Sequence, residues 1–537
     1  MNCSSSPFKG LPFSSLFQDY LSNAHLLRPF FNEHPFDSEA VEQRAEKFSF
    51  IGDRTASVQI LKKMNRSFGG GKQALNQVEK LKDPRALTVV TGQQLMLFGG
   101  PLFTIYKTLT AIIYARRWEN ELGRPVIPVF WLADEDHDFP EVAQAGILNR
   151  NNWHSLTMKP EEGNPPVGRI VLDRNFEEFE SQFFETLQED LFTELLRKQL
   201  GRHYRQGKPF REAFAGLMLE LFEEHGLIIA GSDDREVKKL SAEPMIVAAS
   251  RYEEVLECLE GQSQSLEEEG YHRQATVQQS NLFYLAEGDE RIKIDLEGEM
   301  WRAGDEKSWK VAELAEDVRR HPENFSPNVF IRPLLQDRLL PVFACVAGPG
   351  EIGYYAQMKP LYNLMGQEMP FILPRFSVTL IEPAINRIME KLPFDPQHYI
   401  MRIEDLEHEY IEEVNRLDID LFFEEWKVEV RTLTSKRLTD IANVDPTLEA
   451  AADKAGTQFE NELDSLRKKL FRAQKREEET QLKRLARIRD HLFPESIPQE
   501  RQVAFVSILN RYGVEIFGQL LELLEGDTPD MHKWVRL

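Results

Sequence analysis

Asp134-Glu-Asp-His-Asp138 is an unbroken run of ionisable side chains. It places four acids and one histidine in five positions, directly after the apolar run Pro125-Val-Ile-Pro-Val-Phe-Trp-Leu132. Like charges crowded at the end of a buried strand repel one another and add nothing to packing, so folding alone gives little reason for them. Two chemistries fit the pattern. His137, oriented by Asp136 or Asp138, could carry a proton or stabilise developing charge. Alternatively the carboxylates could hold Mg²⁺ beside the phosphates of a nucleotide. A charged helix amino terminus with a capping Asp is the purely structural alternative.

A second set is Thr91-Gly92-Gln93-Gln94, after the β-branched run Ala86-Leu-Thr-Val-Val90 and before Gly99-Gly100-Pro101 and Lys107. The order reads as a strand, a turn at Gly92 and a helix launched by the Gly-Gly-Pro. In open α/β sheets, ligands lie beyond the carboxyl ends of the strands, and helix amino termini offer free N–H groups to anions. Gln93 and Gln94 can donate and accept, which suits sugar or ribose hydroxyls. Lys107 lies within reach of a phosphate or carboxylate.

The third segment, Gly348-Pro-Gly-Glu351-Ile-Gly-Tyr354-Tyr-Ala-Gln357, formally matches G-x-G-x-x-G. The acid about twenty residues on, Glu368, precedes a strand instead of ending one, so a dinucleotide fingerprint is the weaker reading. A glycine-tight loop presenting N–H groups to substrate, with Glu351, Tyr354 and Gln357 beside it, is the stronger. Arg332 with Gln336, and Arg375 with Ser377, supply guanidinium groups suited to carboxylate or phosphate. Ser67-Phe-Gly-Gly-Gly-Lys72 lacks the preceding strand and following Ser/Thr of a phosphate loop and reads as a helix break.

These segments need a frame. Buried apolar runs at 86–90, 125–132, 227–230, 341–347 and 371–373 alternate with helix-forming stretches, which predicts an open parallel sheet with a Rossmann-like core. Residues 1–85 read as an N-terminal helical segment, and 86–380 as the core. Insertions fall at about 150–222 and 241–330, the second holding a hairpin at Asn281–Leu285 and Arg291–Leu296. In 381–537, Ile381, Ile385, Ile388 and Leu392 keep a helical seam. So do Phe459, Leu463, Leu466 and Leu470, then Leu482, Leu485 and Leu492, which predicts an antiparallel coiled-coil arm suited to dimerisation.

Composition narrows the class. A net charge of -23 argues against nucleic-acid and anionic membrane partners. No apolar run of about 18 residues occurs, and no signal peptide opens the sequence. Cys3, Cys258 and Cys345 are too scattered for a disulfide framework or zinc site and fit a reducing cytosol. Cys345, within an apolar strand, reads as an inert core thiol. The residues by themselves point to a nucleotide-using enzyme acting on a small anion and leave the reaction open.

Seven segments together resemble the BshC family, the cysteine ligases proposed for bacillithiol biosynthesis. They are TGQQ…LFGGPLFTIYK, PVFWLADEDHDF, Gly270-Tyr271 with Asn281-Leu-Phe283, IRPLLQD, LLPVFACVAGPGEIGYYAQMKPLY, the segment ending in PRFS, and LFPE…QER. The resemblance runs over nearly the whole chain in one order. It implies a Rossmann core similar to class I aminoacyl-tRNA synthetases, two connecting-peptide insertions, and a coiled-coil domain that pairs subunits into a homodimer. It implies a ligase adding L-cysteine to the amine of glucosaminyl-malate in the last pathway step. Because amide formation from a carboxylate is uphill in water, activation by ATP or another adenine nucleotide is expected, with Mg²⁺ at the acidic cluster a further candidate. No HIGH-type or KMSKS motif occurs, and Gly350 stands where the family more often has Ala.

Under that resemblance His137 is the catalytic candidate, oriented by Asp136 or Asp138. Thr91, Gly92, Gln93, Gln94, Asn281, Gly348, Glu351, Tyr354, Gln357, Gln336 and Ser377 would hold sugar or nucleotide, and Lys107, Arg332 and Arg375 would grip malate carboxylates or phosphates. A nucleotide-dependent transferase acting on an amino sugar is the alternative reaction class.

Overall fold

A computed structural model describes residues 1–149, 152–159, 165–286, 290–414 and 419–537. Parts of both expected insertions (150–151, 160–164 and 287–289) therefore lie outside the described residues.

The apolar runs form five parallel strands: β1 (Leu87–Gln94), β2 (Val126–Ala133), β3 (Ile228–Gly231), β4 (Val342–Ala347) and β5 (Phe371–Pro374). Their spatial order is β5-β4-β1-β2-β3. This is the doubly wound Rossmann order, with a topological switch point between β1 and β4. Both faces of such a sheet are covered, which is why the strands read as continuous apolar runs instead of alternating ones. Helix α1 (Leu102–Leu122) packs on β1 and β2 and is buried along most of its length. It stops at Gly123, whose φ of 58° supplies the left-handed cap.

The expected turn at Gly92 is absent. β1 continues through Gln94, with Gly92 opposite Trp131, Gln93 opposite Leu132 and Gln94 opposite Ala133. The chain turns later, where Phe98, Gly99 and Gly100 have φ of 50°, 84° and 86°. There glycine is required twice over, because a Cβ on Gly99 would lie 2.4 Å from the Phe505 ring.

The first insertion is largely helical, whereas the second mixes helices with two small antiparallel sheets. The first contributes helices at Arg174–Thr186, Thr193–His203 and Phe210–Phe222. Phe176, Phe179, Phe183 and Tyr204 close around Phe98, which accounts for the phenylalanine density there. In the second, Leu282–Leu285 pairs antiparallel with both Arg291–Lys293 and Phe325–Pro327.

The chain divides into two compact units, residues 1–380 with 499–535, and residues 381–498 with 536–537. The sequence reading runs one helical domain from 381 to the end, whereas 499–535 fold with the core. Gln499 explains the return, since its amide oxygen accepts from Leu380 N–H and its amide nitrogen donates to Leu380 O, each at 2.9 Å. The strand His532–Arg536 then lies between Asn2–Ser6 and Val378–Ile381. Neither terminal strand alternates in hydropathy, which hides both from pattern reading.

In the second unit, α3 (Ile419–Val444) and α4 (Glu449–Glu477) pair as an antiparallel hairpin. Arg431–Glu460 at 2.8 Å, Lys427–Asp464 at 2.7 Å and Arg467–Asp420 at 2.7 Å mark the opposed directions. Its core is Ile419, Phe423 and Leu463, with Trp426, Val430, Leu470 and Phe471 packed against it. Two expected seam residues face outward instead, Phe459 at 49% and Leu466 at 45% exposure. Ile381 ends a strand, and the helix after it, Pro383–Met389, is only seven residues long. Proline at its first turn suits a helix start but not a continuing strand.

Candidate active site

A cavity of about 440 Å³ lies at the carboxyl ends of β1, β2, β4 and β5, at the switch point of the sheet. Each strand brings one piece of wall. β1 brings Gly92, Gln93 and Gln94, β2 brings Trp131 and leads to Asp136, β4 leads to Gly348–Glu351, and β5 leads to Arg375. Lys107 reaches in from α1, Arg332 and Tyr354 from neighbouring helices. Ten of the seventeen candidate residues thus meet around one space.

The cations there are not equivalent. Lys107 is 3% exposed and forms an ion pair with Glu351. Its Nζ also donates to Gly92 O at 2.9 Å and Gln93 Oε1 at 3.0 Å. Burial lowers its pKa, and Arg375 and Arg332 act in the same direction against the Glu351 charge. Glu351 additionally accepts from Gly348 N–H at 2.7 Å, so this lysine and glutamate lock the turn after β4 to the end of β1.

Arg375 is likewise engaged. Its Nη1 and Nη2 donate to the two oxygens of Glu500 at 2.9 and 2.7 Å. Ser377 Oγ and Val378 N–H donate to the same carboxylate at 2.9 and 3.0 Å. Burial would raise the Glu500 pKa, but the Arg375 charge and these donors overturn that and leave it lowered. Ser377 also bonds His532 Nδ1 at 2.9 Å and so supports this buried network instead of lining the cavity.

Arg332 opens a helix (Arg332–Leu339). Its partners are neutral and distant, Gln336 Oε1 at 3.3 Å and Tyr354 Oη at 3.5 Å. Arg501, which also lines the cavity, is exposed and has no polar partner among the described residues. Arg332 and Arg501 are therefore the two wall cations with no carboxylate within ion-pair distance among the described residues, although the Glu351 charge acts on Arg332, and an anionic ligand would satisfy both.

The Asp134–Asp138 cluster separates into distinct tasks. Asp134 Oδ1 accepts from the N–H groups of Ser232 and Asp233, both at 3.2 Å, tying the end of β2 to the loop after β3. Gly231 leaves room for it, since a Cβ there would sit 2.7 Å from Asp134 Oδ2. Burial, Asp233 and Glu135 raise the Asp134 pKa. Glu135 pairs with buried Lys238 at 2.5 Å. Asp136 Oδ1 accepts from His137 N–H at 2.8 Å, and its Oδ2 accepts from Gln94 at 2.6 Å. Gln94 also donates to Glu141 at 2.9 Å. Asp138 caps the short helix Phe139–Val142.

His137 sits outside the walls of this cavity, and its ring partner differs from expectation. Arg291 Nη1 lies 3.1 Å from His137 Nδ1, whereas Asp136 Oδ1 is 3.9 Å away. Arg291 is held by Ser326 Oγ at 3.1 Å, Pro327 O at 2.8 Å and the face of Phe283 at 3.7 Å. A guanidinium can only donate, so Nδ1 is the accepting nitrogen and the ring proton lies on Nε2. Burial and Arg291 lower the His137 pKa against Asp136 and Asp138. A neutral imidazole fixed this way presents an N–H donor.

Four further candidates are placed beside the cavity. Thr91 is buried and its Oγ1 reaches Val346 O at 3.5 Å. Gln336 is buried against Cys345, at 3.5 Å, whose thiol burial pushes up to about 12. Gln357 accepts from Gln274 and Ala275 N–H at 3.1 and 2.9 Å, and so positions a segment that does line the cavity. Asn281, with φ of 55°, accepts from Asn328 at 2.8 Å. Sequence reasoning missed Glu500 and Arg501, which arrive from the C-terminal return, and Arg291.

Residues 1–376 match the family described as "Bacillithiol biosynthesis BshC, N-terminal Rossmann-like domain". Residues 378–536 match the corresponding "C-terminal coiled-coil domain". Similar proteins named "Putative cysteine ligase BshC" occur in Salinibacter ruber, 32% identical over 96% of this chain and 95% of the relative, and in Chlorobaculum tepidum, 33% identical over 99% and 98%. A third, in Prosthecochloris aestuarii, is 34% identical over 98% and 97%. The chain belongs to the BshC family of bacillithiol biosynthesis.

Proposed function

We propose that this chain is a ligase that joins the carboxyl group of L-cysteine to the amine of glucosaminyl-malate, giving bacillithiol. The observation that carries the reading is the pair Arg332 and Arg501, cations without a carboxylate partner facing one cavity at the sheet's switch point. A malate head group or a phosphate is an anion of the kind they would hold. The names of the family's relatives supply the cysteine-ligase class.

Amide formation from a free carboxylate is uphill in water, so ATP serves as co-substrate. It converts a carboxylate oxygen into a leaving group, by adenylation or phosphorylation. The amine nitrogen then attacks the carbonyl carbon, the C–N bond forms, and the activated oxygen departs with phosphate or AMP as the amine loses a proton. His137 Nδ1 accepts from Arg291, so its ring offers an N–H donor and no free nitrogen to take that proton. Lys107 and Glu351 hold the turn that shapes the cavity floor.

The working enzyme is a cytosolic homodimer in this reading. Leu421, Val428, Leu433, Phe459 and Leu466 are each 45–59% exposed on α3 and α4, an apolar surface that a second copy would cover. No helix among the described residues is long and apolar enough to cross a membrane. Deleting the gene in its host and measuring small thiols by mass spectrometry tests the function. The expected result is accumulated glucosaminyl-malate and no bacillithiol, and an unchanged thiol pool refutes the assignment.

A further inference from the structure

A second cavity, of about 400 Å³, adjoins the first and shares Ala133, Asp136, Ala275, Val329 and Arg332 with it. Its other polar walls include Glu135, Gln278 and Arg291. Two carboxylates and two guanidinium groups therefore face one small space, with formal charges that cancel.

Their hydrogen bonding is unbalanced in a directed way. Glu135 is 6% exposed; Lys238 Nζ lies 2.5 Å from its Oε1, and its Oε2 has no hydrogen-bond donor among the described residues. The same ammonium also donates to Phe325 O at 2.6 Å, so it serves one carboxylate oxygen and one carbonyl. Gln278 Oε1 is also buried without a donor. Buried acceptors left this way are costly unless something supplies N–H groups. Arg291 is spent on His137, Ser326 and Pro327. Arg332, at the junction of the two cavities, has only its two long neutral contacts. Glu135 Oε2 and Gln278 Oε1 thus lack donors, and Arg332 has no carboxylate within ion-pair distance among the described residues.

We infer that this second cavity is the amino-acid site, binding an α-amino acid as its zwitterion, with the ammonium at Glu135 and Gln278 and the carboxylate at Arg332. The inference rests on the ligase reading for its choice of L-cysteine as the amino acid. It puts the cysteine carboxyl carbon at the junction, where an amine held in the main cavity meets it.

Calorimetric titration of the full chain with L-cysteine, cysteamine (no carboxylate) and 3-mercaptopropionate (no ammonium) tests the site. L-Cysteine should bind more tightly than either fragment. Gln278→Leu and Glu135→Gln should each weaken it about tenfold or more, while Arg501→Ala, in the main cavity alone, leaves it within about twofold. Gln278 is partly exposed, so its variant keeps the test valid if Glu135→Gln fails to fold. Full cysteine affinity in Gln278→Leu, or a larger loss in Arg501→Ala, overturns the assignment. The ligase reading fails separately. Cysteine binding weakened as expected without any ligation would leave the site standing, whereas ligation with an unchanged KM for cysteine in Gln278→Leu would remove the site and keep the reaction.

Discussion

Replacing Glu500 with Gln isolates the contact that joins the C-terminal return to the active-site sheet. The Glu500 side chain is fully buried and that of Arg375 is 3% exposed. Four donors converge on its two oxygens, two from Arg375 and one each from Ser377 and Val378. The Gln variant keeps one accepting oxygen and turns the other into an NH₂, so two of those donors face another donor. Arg375 keeps its charge in a site from which water is excluded. Removing one partner of a buried pair costs about 3–5 kcal/mol, because the remaining charge is uncompensated. Against a total stability of about 5–15 kcal/mol, that loss is large.

Urea unfolding followed by tryptophan fluorescence is the assay, since six of the seven tryptophans lie in this unit. The expected outcome is a midpoint shifted down with the slope unchanged. Arg375→Met in the Glu500→Gln background should recover part of the loss, giving a coupling energy of about 2 kcal/mol or more. A loss under about 1 kcal/mol, or simple additivity, would show that the pair does not hold the return in place. The sign with pH follows. Glu500 has a lowered pKa in the folded state, so its contribution is present above the ordinary value of 4.5 and disappears as pH falls through the folded value.

Three other outcomes are expected. His532, whose ring nitrogens meet Ser377 Oγ and Thr379 Oγ1, is lowered by burial from 6.5 to about 4, so the unfolded chain takes up a proton that the folded chain refuses. Stability should decline by up to about 3 kcal/mol between those pH values, and His532→Gln should flatten that decline; an unchanged slope counts against it. Long-range ¹⁵N NMR of His137 should find Nδ1 unprotonated in the native chain and a mixed tautomer in Arg291→Met, with Arg291→Lys restoring the native signal; a protonated Nδ1 in the native chain refutes the assigned tautomer. Asp134→Asn keeps an acceptor for Ser232 and Asp233 and should fold normally at pH 7, whereas Asp134→Ala should lose about 1–3 kcal/mol of stability; equal stability of the two variants would deny the capping role.

How far each feature was legible follows from the range of the interaction behind it. Buried parallel strands announce themselves as apolar runs, so all five were readable, and with them the strand ends that build the cavity. Gly92 was misleading because a glycine reads equally as a turn or as a small residue opposite a large one, and only the register with Trp131 decides. The α3–α4 hairpin was readable as an element. Its buried face was readable in part, at Leu463 and Leu470 but not at Phe459 and Leu466, because facing positions on two helices depend on a register that one helix does not contain. Glu500 lies 125 residues from Arg375, and no local pattern links them. The available signal was Gln499-Glu500-Arg501-Gln502, four consecutive polar residues directly before the apolar stretch that starts at Val503, all of which turn out to belong to the core unit.

The same pairing decides what the site's charges are for. On sequence alone Lys107, Arg332 and Arg375 are three equal grips for an anion. Lys107 is neutralised by Glu351 and spends its hydrogen bonds on the end of β1. Arg375 is neutralised by Glu500 and carries the C-terminal return. Both behave as braces that fix the geometry of the switch point, at a desolvation cost that only good geometry offsets. Arg332 is left with neutral contacts and Arg501 with none, so the attraction for an anion falls on these two. Their positions differ in consequence. Arg501 faces the main cavity alone, whereas Arg332 faces both, so a ligand bound in either space changes the electrostatic field felt in the other. Two substrates that must meet before reacting would therefore do so across Arg332, and its replacement should weaken both, while replacement of Arg501 weakens one.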